Sequence, residues 1–295
     1  MSSPASLAEL EALVHRALAT GDESSLEVLG YGEISCVLAW RDESFSVAAK
    51  RLPLFDGPDR FKAYSAAFEA YLLELRQAGV AVAPSRLEAV PAADGRLAAW
   101  CLQPLLEAES LAPKWLAAAD DDGARRLLGK IADHICAAAA PLLGIDGQLS
   151  NWAAAGDGVL YFDVTTPLIR DDTGREVLDL ELFLASLPWA LRCFVRRHYL
   201  RAILDKYYEP RACLLDLLGN LVKEDLGHRL DLALGVVNER VSPAIDASEV
   251  RRYYREDARM WALLQRLRRL DRWWQRRIRK RPYPFLLPGP VARRV

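Results

Sequence analysis

The sequence is short of several things, and each shortage excludes something. Its five cysteines (Cys36, Cys101, Cys136, Cys193 and Cys213) are odd in number, widely spaced and free of any CxxC pair. That excludes a disulfide framework and a zinc site of the usual spacing. No apolar run reaches the ~18–20 residues of a membrane-spanning helix. The longest candidate, residues 135–145, is too short and holds Pro141. The N-terminus has no signal-peptide character, since Ser6-Leu7-Ala8-Glu9 reads as a capping box opening an amphipathic helix. No internal repeat is present. The expectation is a cytoplasmic protein with neither a zinc site nor a transmembrane segment.

Net charge is also scarce, at −1, but it is unevenly spread. Residues 251–281 hold twelve Arg and one Lys against Glu256, Asp257 and Asp271, a local net of +10, which leaves about −11 for the rest. Such asymmetry points to an anionic partner for that segment or to an acidic surface elsewhere on the protein. What is plentiful is apolar residue: 52% of 295 positions, ample for a packed core spread over two lobes.

From Leu26 the pattern is that of strands. Leu26–Leu29 runs into Gly30-Tyr31-Gly32-Glu33-Ile34-Ser35, and Cys36–Trp40 and Phe45–Lys50 follow on either side of a polar turn. Gly30 and Gly32 permit backbone conformations and close approach that side chains would block, although a plain hairpin explains them equally. Lys50 shares a strand face with the small residues Ser46 and Ala48, which leaves room there for a flat ligand. A helix with the stripe Phe61, Tyr64, Phe68, Tyr71, Leu72 and Leu75 comes next, with Glu69 and Glu74 at its two edges. Arg86–Val90 and Leu97–Leu102 form a second hairpin. Beyond Gln103-Pro104-Leu105-Leu106 the chain turns helical, which sets a boundary near 103–107 and divides it into 1–103, 104–247 and a basic amphipathic helix and tail, 248–295. The helices expected are 125–140, 179–208, 212–218, 223–240 and 248–280, with His134 a plain helix residue.

The stretch Leu142–Trp152, followed by Val159–Thr165, carries the chemistry. Asp146 precedes Asn151 by five residues, and Asp163 follows twelve later at the end of a short apolar run that reads as a strand. Three oxygen-bearing side chains brought together this way hold hard cations and accept a proton from a hydroxyl. That is the layout of a phosphoryl-transfer site.

Taken in order, Gly30-x-Gly32-x-x-Ser35, Val47-Ala48-Ala49-Lys50, Glu69, Asp146-x4-Asn151 and Asp163 resemble the protein-kinase-like superfamily. The likeness is nearest to its aminoglycoside phosphotransferase and choline kinase branch, whose catalytic loop reads H-G-D-x4-N, and it covers residues 26–185. The helix ahead of Ala78-Gly79-Val80-Ala81-Val82-Ala83-Pro84 is also in that branch's style. The resemblance implies an α+β, two-lobed protein-kinase-like fold and a phosphotransferase that uses ATP and Mg2+ on a hydroxyl of a small molecule. It implies that Gly30, Gly32 and Ser35 cover the nucleotide phosphates. Lys50 would then neutralise those phosphates while Glu69 holds it, and the backbone at Gln103 and Leu105 would bond adenine. Asn151 and Asp163 would hold Mg2+, and Asp146 would take the hydroxyl proton. This sequence departs from the branch at Gly144 (there a histidine), at Gln148 (there basic or His), at Ser35 (there glycine) and after Asp163, where Val164-Thr165 follows. Two other readings remain open: a catalytically weak or inactive nucleotide-binding module, and a function in the 251–281 helix on an anionic membrane or nucleic acid. For the acceptor side of the cleft the candidates are Glu181, Trp189, Tyr199, Tyr207, Tyr208, Asp216 and His228.

Overall fold

The Ser6 hydroxyl accepts a hydrogen bond from the Glu9 amide at 3.2 Å and caps α1 (Leu7–Thr20), the start that the capping box predicts. The computed structural model describes residues 6–31, 35–41, 45–185, 187–281 and 283–287, apart from the side chains of Phe183, Trp189 and Ala190. Three strands follow α1: β1 (Val28–Tyr31), β2 (Cys36–Arg41) and β3 (Ser46–Arg51). Then come α2 (Pro58–Gln77), β4 (Arg86–Pro91) and β5 (Leu97–Pro104). The five strands form one antiparallel sheet in the order β1-β2-β3-β5-β4.

Alternation along β3 sends its side chains to opposite faces of this sheet. Ala49 and Arg51 face α1, where Leu10, Val14, Leu38, Trp100 and Leu102 complete a core. Arg51 and Glu11 of α1 meet there in a two-bonded pair at 2.8 Å and 2.8 Å, both buried. On the other face Ala99 and Cys101 pack with Tyr64, Phe68, Tyr71 and Leu75 of α2 in the main core, which continues into the helices. The apolar stripe read for α2 is the buried one. Lys50 stands on this second face.

Beyond β5 the chain forms α3 (Ala112–Ala118) and α4 (Asp121–Ala138), the latter capped by the Asp120 carboxylate, which accepts from the Gly123 amide at 2.7 Å. The hairpin β6 (Trp152–Ala155) and β7 (Gly158–Tyr161) turns at Gly156, whose φ of 55° suits glycine. His134 of α4 stacks on Trp152 at 5.9 Å. The fold class is α+β, with, among the described residues, one five-stranded antiparallel sheet, one small hairpin and a mostly helical remainder.

Several helices differ from expectation. The expected helix 179–208 is divided into α5 (Leu180–Leu184), α6 (Trp189–His198), α7 (Leu200–Asp205) and a 3-10 turn Lys206–Tyr208, with Pro188 at the start of α6. A proline has no N–H to continue a helix from its N-terminal side. α8 (Pro210–Lys223) ends before Asp225, which adopts a left-handed φ of 63°, and α9 (Leu230–Asn238) begins afresh. The expected helix 223–240 is interrupted for that reason. Neither α3 nor β6 was expected; both are too short to show a period.

The last helix, α10 (Ala247–Arg277), is capped by Asp246, whose Oδ1 accepts from the amides of Ser248 at 2.7 Å and Glu249 at 3.0 Å. It buries Val250, Tyr254, Ala258, Gln265 and Arg268. Near its start Tyr253 donates to Asp216 of α8 at 2.9 Å, and near its end Arg276 Nη2 donates to the Leu18 carbonyl of α1 at 2.7 Å. With 31 residues it is roughly 46 Å long, and so it ties the helical part to the helix behind the sheet. Leu286, beyond it, joins the core between α1 and the sheet. Among the described residues no helix is long and apolar enough to cross a membrane.

The Arg51–Glu11 pair generates a stability prediction. Removing one partner leaves the other charge buried and alone, which costs about 3–5 kcal/mol. Glu11→Ala therefore lowers the urea midpoint by that equivalent, whereas Glu27→Ala, at the exposed Arg41 pair, changes it little. Equal effects of the two would remove the buried pair's assigned role in holding α1 to the sheet.

Candidate active site

Lys50 Nζ lies 2.6 Å from Asp163 Oδ1, joining β3 to the segment that leaves β7. Their side chains are only 15% and 30% exposed, so each charge is partly withdrawn from water and held by the other. The Thr165 hydroxyl donates to the same carboxylate oxygen at 3.4 Å. A cavity of about 280 Å³ opens at this pair, lined also by Asp146, Asn151, Gln148, Ser35 and Tyr31. That volume is near the lower end of the ~300–1,000 Å³ usual for small-molecule sites.

Asp146 sits on an irregular loop held from all sides. The Gly144 amide donates to Leu168 O at 2.7 Å and the Ile145 amide to Tyr207 O at 2.9 Å, while Tyr71 of α2 donates to Gly144 O at 3.1 Å. A Cβ on Gly144 would lie 3.0 Å from Leu168 Cβ and 3.2 Å from the Tyr208 ring. The place where the kinase-like branch has a histidine is therefore filled by neighbours. Gly147 is still tighter, with 2.7 Å to the Cys213 carbonyl. Asn151 is buried, and its Nδ2 donates to the Asp146 carbonyl at 3.3 Å, which fixes the amide with its oxygen turned away from that bond. Burial pushes the Asp146 carboxyl up to about 7, helped by the negative charges of Asp216 and Asp163 and opposed by Lys206 and the Gln148 amide.

The far wall comes from α8, the 206–208 turn and α10. Asp216, 8% exposed, accepts from the Tyr253 hydroxyl at 2.9 Å and lies 3.7 Å from the Lys206 ammonium. Its Oδ2 is buried and accepts no hydrogen bond among the described residues. Burial alone would lower the Lys206 ammonium, but Tyr207, Asp216, Tyr253 and Asp146 around it hold it above its ordinary value. Asn220, one turn after Asp216, accepts from the Ser150 amide at 3.0 Å and donates to Gln148 Oε1 at 3.4 Å. Asp257, Trp261 and Gln265 of α10 complete the lining.

The structure thus brings Lys50, Asp146, Asn151, Asp163 and Ser35 to one cavity. Two expectations need correction. Glu69 does not hold Lys50: it is exposed on α2, one residue past the buried Phe68 and turned by the helix away from the sheet, and Asp163 is the ammonium's partner. Gln103 and Leu105 do not line the cavity. The Gln103 side chain instead donates to Ser85 Oγ at 2.9 Å and Phe162 O at 2.8 Å, tethering the residue before Asp163 to the sheet. Gly30 lies at a bulge of β1 with open space where a Cβ would stand, and Gly32 is outside the described residues.

Of the acceptor-side candidates, Tyr207 and Asp216 line the cavity. Tyr208 donates instead to Glu176 at 2.5 Å, Glu181 pairs with Arg196, Tyr199 and His228 are exposed, and the Trp189 side chain is outside the description. Sequence reasoning missed Lys206, Asn220, Tyr253 and Asp257. Only the Asp216-x3-Asn220 spacing on one helix face offered a signal for any of them. Among the described residues no three His, Cys, Asp or Glu side chains cluster as a metal site.

The chain belongs to the family of unknown function DUF6206, whose profile matches residues 9–272. No curated protein matches it in sequence. Among solved structures it is similar to one titled "WaaP in complex with acyl carrier protein", at 13% identity and a TM-score of 0.38, over 85% of this chain and 94% of that one. A likeness at that score carries no weight for fold, chemistry or partner.

The raised Asp146 carboxyl has a consequence for stability. The folded protein holds a proton that the unfolded chain releases near pH 4, so stability falls as pH rises from about 4 to about 7 and is level above that. Asp146→Asn, which never ionises, therefore raises the thermal midpoint most at pH 8, and the gain shrinks as pH falls below 7. A constant offset between the two proteins from pH 5 to pH 8 would contradict the burial of this carboxyl.

Proposed function

We propose that this protein is a phosphotransferase with a two-lobed protein-kinase-like fold, moving the γ-phosphoryl group of ATP, with Mg2+, to a hydroxyl of a small molecule. The observation that carries the reading is the Lys50–Asp163 pair on a cavity that also holds Asp146 and Asn151. An antiparallel sheet with one inserted helix, ahead of a mostly helical remainder, supports the fold half of it. On this reading residues 1–103 form the nucleotide-binding lobe and 104–247 the helical lobe, while 248–295 add α10 as a wall of the cleft.

The donor set suits the ligands. Asn151 has its Nδ2 engaged by the Asp146 carbonyl, which leaves Oδ1 for a cation. Asp163 uses Oδ1 toward Lys50 and Thr165, which leaves Oδ2 outside those bonds. One carboxylate and one carboxamide are what a Mg2+ ion takes from a protein when phosphate oxygens and water supply the rest. Mg·ATP supplies the phosphoryl group, whose new bond to the acceptor oxygen forms as its bond to the β-phosphate oxygen breaks. Lys50 neutralises phosphate charge from β3. Asp146 takes the hydroxyl proton, and a carboxyl titrating near 7 is matched to that task. Lys206 beside it is the cation that Gln148 is not.

A nucleotide-binding module without catalysis is the second reading. It is favoured by Lys50 already being paired with the carboxylate assigned to the metal, and by Gly144 in place of histidine.

An assay of Mg·ATP with a panel of hydroxylated metabolites tests the proposal. Wild type transfers phosphate to at least one, at a rate that rises with pH through about 7 and then levels. Asp146→Ala lowers turnover by roughly 10²–10⁴ and Asp163→Ala abolishes it, both with an unchanged fold. Nucleotide stabilisation that ignores Mg2+ and yields no product would favour the module. Equal rates in wild type and both variants would refute the site.

A further inference from the structure

α10 has two apolar faces, and among the described residues only one is used by the fold. Val250, Tyr254, Ala258 and Gln265 point inward. With 100° per residue, Met260, Leu263, Leu270, Trp274 and Ile278 fall together on the opposite side, where they are exposed, Met260 by 66% and Leu270 by 62%. Trp273, 55% exposed, lies at the edge of this stripe. Along that same edge run Arg255, Arg259, Arg266 and Arg277, all exposed and, among the described residues, in no ion pair. Large apolar side chains held in water in one continuous row are costly and mark a contact surface.

We propose that this outward face of α10 docks the protein on an anionic lipid bilayer. The charge is complementary: the segment 251–281 carries a net charge of +10, and the exposed Arg255, Arg259, Arg266 and Arg277 along the edge of the stripe meet headgroups of negative charge. The chemistry also fits, since a helix that lies in the interface buries leucine and tryptophan and keeps arginine at the headgroups. A second copy of the chain is disfavoured, because pairing the stripe on itself would bring the two arginine rows close together. A nucleic acid would satisfy the arginines but leave the leucines and the methionine in water. The inner face of the same helix contributes Tyr253, Asp257 and Trp261 to the cavity, so docking sets the cavity beside the bilayer. The proposal stands whether or not phosphoryl transfer is the reaction.

The test is co-sedimentation of the full chain with phosphatidylcholine vesicles and with vesicles of phosphatidylcholine mixed with phosphatidylglycerol, at low and moderate salt. Binding is expected to the mixed vesicles only, weakening with salt. Leu270→Gln with Trp274→Gln, both away from the cavity, weakens it by at least about tenfold, while Arg259→Gln with Arg266→Gln weakens it and flattens its salt dependence. A circular-dichroism melt confirms that each variant folds. The proposal is overturned by any of three results: no binding to the mixed vesicles at low salt, binding untouched by the apolar substitutions, or a lipid-free dimer in gel filtration that Leu270→Gln dissolves.

Discussion

An ammonium and a carboxylate 113 positions apart in the chain meet at 2.6 Å, and much of the architecture serves to make them meet. Neither charge is stable alone in a half-dry cleft, so each constrains the element that carries it. Lys50 reaches the cleft because β3 turns Ala49 and Arg51 the other way, into α1, where Glu11 fixes Arg51. Asp163 reaches it because the hairpin β6–β7 ends there and the Gln103 side chain grips the Phe162 carbonyl just before it. Two tyrosines of α2 close the joint, Tyr64 donating to Thr165 O at 2.8 Å and Tyr71 to Gly144 O at 3.1 Å. The sheet and the helical part are thereby fastened at the two loops that carry the polar side chains.

Around that pair the balance of charge is close. Asp146, Asp163 and Asp216 all line one cavity, answered by Lys50 and Lys206. Burial first, and the negative charges of Asp216 and Asp163 after it, raise the proton affinity of Asp146. An anionic, metal-loaded ligand changes that balance. On the proposed reading it would offer Lys50 a second partner and set a cation beside Asp163.

The local parts of this arrangement were legible from the residues alone. Ser6 caps where its position says it should, the α2 stripe is the buried one, and Lys50, Asp146, Asn151 and Asp163, far apart in the chain, line one cavity. What was not legible depends on contacts distant in sequence. Glu69 and Glu74 both border the α2 stripe, and nothing in the helix says that Asp163 takes the lysine. Gly144 reads as a missing histidine until Leu168 and Tyr208 are seen to fill the space. The wall of the cavity is the clearest case. Tyr253 and Trp261 belong to the segment 248–295 that stands apart in the sequence as a basic helix and tail, yet they face the cavity because Tyr253 bonds Asp216 and Arg276 reaches back to Leu18.

A crystal structure of the protein with a non-hydrolysable ATP analogue and Mn2+, located by its anomalous signal, tests the proposed site most directly. The expected result is a manganese ion within ligand distance of Asp163 and Asn151, with the triphosphate against Lys50 and the Asp146 carboxylate open toward the γ-phosphate. A triphosphate bound elsewhere, or a saturated crystal in which Lys50 and Asp163 keep each other and no metal enters, would contradict it.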